Sequence, residues 1–76
     1  MNAYRISSKI QVTDWYEMVN QFNGQIILNP VQDINGNLYI SVIEYDYLKD
    51  IIKAKFGDKA SEMVYYDTFV PRISPI

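Results

Sequence analysis

The stretch that most constrains the fold runs from Gly24 to Tyr45, GQIILNPVQDINGNLYISVIEY. Its Asn35-Gly36 dipeptide can hold two successive residues at positive φ, the backbone of a tight type I′ turn, and apolar runs flank it on both sides. The spacing predicts a β-hairpin with arms at Gln25 to Gln32 and Asn37 to Tyr45. Pro30 cannot donate to a ladder, which sends the first arm to a sheet edge.

Around that hairpin the chain reads as two β–α halves. Tyr4, Ile6, Ser8, Ile10 and Val12 alternate with Arg5, Ser7, Lys9 and Gln11, the period of a strand with one buried face. In TDWYEMVNQFNG, Trp15, Met18, Val19 and Phe22 share one helical face. Asp14 with Glu17, or Thr13, is suited to cap that helix, and Asn23-Gly24 to stop it. Asp46 is placed to cap a second helix carrying Leu48, Ile51, Ile52 and Phe56, which Gly57 ends. A polar loop, Asp58 to Ser61, then leads into a last strand, EMVYYDTFV, which Pro71 stops.

The resulting order βαββαβ, with right-handed crossovers, is similar to the ferredoxin-like split βαβ arrangement. That resemblance rests on element order and implies a four-stranded antiparallel sheet, order 4-1-3-2, with both helices on one face. At 76 residues the chain reads as a single α+β domain, with 71–76 a short tail. A core this small makes a second subunit a natural source of stability.

Composition removes several chemistries. There is no cysteine and no histidine, so disulfides, thiolate nucleophiles, the usual hydrolase pairs and the best transition-metal ligands are missing. No Gly-rich phosphate loop, metal-ligand spacing or nucleophile motif occurs, and the reading is a non-catalytic protein without cofactors. A net charge of −2 argues against nucleic acid as a partner. No apolar run approaches a membrane span, which makes a soluble, cytoplasmic protein the expectation. The bias toward Ile, Asn, Tyr, Lys, Phe and Met is that of AT-rich coding, as in phages and low-GC bacteria.

What remains is surface. Helices on one side of a sheet leave the other side open, and the hairpin carries too much apolar area for one covered face. Tyr39, Ile43 and Tyr45 fall on the side opposite Leu38, Ile40 and Val42. A two-residue loop would set Leu28 beside Ile43, whereas a bulged loop would bring Val31 and Ile27 to the tyrosine side. Arg5 and Lys9, on the neighbouring strand, complete the candidate partner-binding surface. Three uses compete with a tail that simply covers the face. The leading one is protein contact, as a homodimer or as an inhibitor or adaptor, in a host cytoplasm if phage-encoded. Single-stranded nucleic acid could instead stack on Tyr39 and Tyr45 beside Arg5 and Lys9. A dimeric enzyme or ligand-binding barrel would close a pocket between sheets, with Glu44 and a tyrosine moving protons.

Overall fold

The structure is a computed structural model and describes residues 2–21 and 30–71. The elements are β1 (Asn2–Ile6), α1 (Val12–Asn20), β2 (Val31–Gln32), β3 (Leu38–Ile40), α2 (Val42–Phe56), a 3-10 turn (Gly57–Lys59), α3 (Ala60–Met63) and β4 (Val64–Thr68). They form a small α+β unit around a four-stranded antiparallel sheet in the order β2-β3-β1-β4.

β1 is shorter than the alternation from Tyr4 to Val12 predicts. After Ile6 the backbone turns: Lys9 N–H donates to Ser7 Oγ at 3.1 Å and Ile10 N–H to the Ser7 carbonyl at 3.1 Å. Serine competes for backbone donors in this way, and the outcome removes Lys9 from the strand. α1 then begins at Val12, with Gln11 as an N-cap that makes no side-chain bond. Asp14 is therefore the third helical residue, where a carboxylate complements the positive helix end. It pairs with Lys55 at 3.6 Å, as does Glu17 at 3.5 Å. Phe22 and the Asn23-Gly24 stop lie outside the described residues.

The hairpin closes differently from a type I′ turn. Val31 faces Tyr39 and Gln32 faces Leu38. Asp33 N–H bonds to the Asn37 carbonyl, Gly36 N–H bonds back to the Asp33 carbonyl, and Gly36 has φ +83. That is a three-residue loop with a left-handed glycine bulge. Its organiser is Asp33, 1% exposed, whose Oδ1 accepts from Asn35 N–H at 2.9 Å and Asn37 N–H at 3.0 Å. The bulged register is thus the one adopted. β2 is an edge strand just after Pro30, which fits a residue with no N–H to donate; Gln25 to Asn29 lie outside the described residues.

The largest departure follows. The second hairpin arm stops at Ile40, and α2 starts at Val42 rather than after Asp46. Ser41 Oγ accepts from Glu44 N–H at 3.1 Å, and the Glu44 carboxylate accepts from Ser41 N–H at 2.9 Å. This reciprocal box satisfies two donors that a helix start leaves bare. It outweighs the strand preference of Val42 and Ile43. Asp46 is left on the helix surface, beside Lys49 at 3.9 Å. The stretch Asp58 to Ser61 is likewise helical rather than a loop, with Val64 N–H bonded to the Ala60 carbonyl, so β4 begins at Val64.

Ile6, Ile40 and Val64 from the sheet meet Trp15 and Met18 of α1 and Leu48 and Ile52 of α2 in one core. Both helices therefore cover the same sheet face. The stripe predicted for the second helix is kept, with Leu48 and Ile52 buried and Ile51 and Phe56 packed at its border.

Candidate functional site

Strand alternation and the observed registers put Ala3, Arg5, Val31, Tyr39, Tyr65 and Asp67 on the face away from the helices. Arg5 is its centre, opposite Tyr39 on one side and Tyr65 on the other. Its guanidinium donates to Asn37 Oδ1 at 3.0 Å, lies 3.7 Å from the Asp67 carboxylate and sits 5.8 Å from the Tyr65 ring centre.

Tyr39 is not an exposed contact residue. It is 2% exposed because the chain just past β4 crosses this face. Phe69 packs edge-on against the Tyr39 ring, with centroids 5.3 Å apart, and the Tyr39 hydroxyl donates to the Thr68 carbonyl at 3.1 Å. One residue on, the Val70 carbonyl accepts from Ile34 N–H in the hairpin loop at 2.9 Å. Residues 69–71 are thus a strap from the β4 edge to the hairpin, and the cover begins at Phe69, before the tail expected to supply it. Burial raises the Tyr39 pKa, the nearby Asp67 and Asp33 carboxylates add to the rise, and Arg5 opposes it.

The seven expected contact residues are consequently scattered. Arg5, Val31 and Tyr39 share the open face. Ile43, 69% exposed, is on the first turn of α2. Tyr45, also on α2, stacks on Tyr4 at 3.6 Å on the helix side of the sheet. Lys9 is in the turn after β1, and Leu28 lies outside the described residues. Arg5, Lys9, Tyr39 and Tyr45 therefore make no common stacking platform. Glu44 serves as the partner of Ser41 in the helix cap, which accounts for its position without proton transfer.

Beside the strap, Val31, Ile34 and Val70 are exposed, and on the face itself the Arg5 and Asp67 side chains keep 34% and 40% of their surface open. The outer edge of β4 offers little in addition. The Ser7 N–H to Met63 carbonyl bond sets the alternation, so the backbone groups of Val64, Tyr66 and Thr68 point outward. Val64 N–H is used by Ala60, Thr68 N–H by the Asp67 carboxylate at 2.8 Å, and the Thr68 carbonyl by Tyr39. Such an edge is blunted against strand addition.

A second concave feature had no counterpart in the sequence reading. At the end of the helix layer, between the start of α1 and the start of β3, a cavity of about 420 Å³ is bordered by Ser8, Ile10, Val12, Trp15, Tyr16 and Leu38. Trp15 was assigned to the core and does belong there, yet it also forms part of this wall. Its Nε1 has no hydrogen-bond partner among the described residues.

Among the described residues, no helix is long and apolar enough to cross a membrane, and no cluster of acidic side chains could hold a metal ion. No family model, curated protein or solved structure matches the chain.

Proposed function

We propose that this protein is a non-catalytic protein-interaction module of the ferredoxin-like kind, acting through the hairpin end of its open sheet face. The fold reading is supported by the strand order, which counted from the β4 edge is 4-1-3-2, and by both helices lying on one side. The contact reading is carried by one observation: Val31, Ile34 and Val70 stay exposed where the strap is tied to the hairpin. Exposed aliphatic side chains grouped on a framework held by hydrogen bonds are typical of a contact surface. The partner is a protein, either a second copy or a larger protein whose surface is blocked or bridged. A second copy would meet face to face, since half of the outward backbone groups of the β4 edge are already bonded. The pairing of Arg5 with Asp67 and the cover over Tyr39 speak against nucleic acid as the ligand.

The test is solution mass by size exclusion with light scattering over about a hundredfold range of concentration, together with affinity capture, on the wild type, V31K/V70K and I43K. The reading expects self-association or a captured protein that V31K/V70K loses and I43K keeps. Identical mass and partners in all three would refute it.

A further inference from the structure

The cavity beside Trp15 is independent of that contact surface. Its volume of about 420 Å³ falls within the range of small-molecule sites, roughly 300 to 1,000 Å³. Its lining is mostly apolar, and among the described residues none that borders it carries a charged side chain at neutral pH; Ser7, Ser8, Asn37 and Tyr16 contribute polar side chains. An ionic ligand would lose its hydration there with no counter-charge in return. An uncharged, largely apolar molecule would lose nothing comparable.

A polar handle lies within the wall, shielded from the cavity as the indole stands. Trp15 is 7% exposed, and its indole N–H is buried and unpartnered among the described residues. Buried donors are normally satisfied. From these observations we infer that the cavity binds a small, uncharged, largely apolar molecule carrying one hydrogen-bond acceptor, which pairs with the Trp15 N–H when the indole turns toward it. Val12 and Leu38, exposed at the rim, hold the apolar body of that molecule.

The chain has a single tryptophan, so the ¹⁵N-labelled protein gives one indole N–H resonance. The experiment titrates cyclohexanone, with methylcyclohexane as the acceptor-free control, up to each probe's solubility. Cyclohexanone should shift the indole N–H and the Ile10 and Leu38 resonances saturably, whereas the hydrocarbon should shift the methyl resonances alone. V12E and L38R, each checked for fold by circular dichroism, should weaken ketone binding by about fivefold or more, and I43E should bind as the wild type does. No saturable shift, or unchanged affinity in both rim variants, overturns the site. Equal weakening by I43E overturns it as well. Ketone binding that leaves the indole N–H unmoved overturns the assigned acceptor chemistry.

Discussion

Removing the Asp33 carboxylate should unfold the hairpin loop from the inside. Its Oδ1 holds two backbone N–H groups, those of Asn35 and Asn37, from a position that is 1% exposed. In D33A the Asn35 N–H, on an exposed residue, can turn to water, a loss of about 0.5–1 kcal/mol. The Asn37 N–H is half-buried and carries more of a desolvation penalty, about 1–3 kcal/mol. The variant should therefore lose about 2–3 kcal/mol, and at about 4–8 °C per kcal/mol for a domain of this size its Tm should fall by about 10–20 °C. D33N keeps an accepting oxygen but no charge and should lose about half as much, since hydrogen bonds to charged groups are about twice as strong as neutral ones. Urea unfolding followed by tryptophan emission and far-ultraviolet circular dichroism gives both numbers by linear extrapolation. A D33A variant within about 0.5 kcal/mol of wild type would refute the assignment of Asp33 as organiser of the turn. D33N as damaging as D33A would show that the charge, not the accepting oxygen, holds the loop.

Two further outcomes follow from the geometry. V42P should be nearly neutral, within about 0.5 kcal/mol by urea unfolding. Val42 is the first helical residue, where proline is favoured, and Ser41 at φ −69, ψ 164 already has the extended backbone a following proline needs; a loss of about 3 kcal/mol would mean that Val42 donates to a ladder after all. Alkaline titration should destabilise the protein from about pH 10 upward. The folded Tyr39 pKa is raised above the ordinary 10.0, so the folded state holds its proton where the unfolded state releases it, and stability present below pH 10 is lost as pH climbs through the folded value. Y39F should lose about 1 kcal/mol at neutral pH and show a flatter alkaline limb, and identical limbs in urea melts would contradict the assignment.

Much of the fold was legible because its periods are local. Tyr4 to Ile6 and Leu38 to Ile40 alternate, and Trp15/Met18 and Leu48/Ile52 recur at helical spacing, so the element order and the core stripes could be read directly. The start of α2 could not be placed by period alone. Val42 and Ile43 extend an apolar alternation, and the opposing signal is the short Ser41-x-x-Glu44 box, two side chains against a β-branched run. That one boundary moved Ile43 and Tyr45 off the sheet and dispersed the candidate patch. Arg5, Val31 and Tyr39 were placed on a common face, but the strap over Tyr39 depends on contacts between Thr68–Val70 and the hairpin, more than two dozen residues apart in sequence. Asp33 carried no periodic signal, and Trp15 read only as core because a cavity wall and a core position share the same helical spacing.

The strap also sets an order of events. The loop at Asp33 to Asn37 closes over a few residues and can form within microseconds, whereas the Ile34–Val70 bond needs β3, β1 and β4 already side by side. It is therefore among the last contacts made and, with Ile34 and Val70 exposed, among the first to open. Hydrogen exchange should register this as a hierarchy. The Ile34 amide should trade its proton through a small local opening, while the amides of β1, in the centre of the sheet, should wait for the whole molecule to unfold.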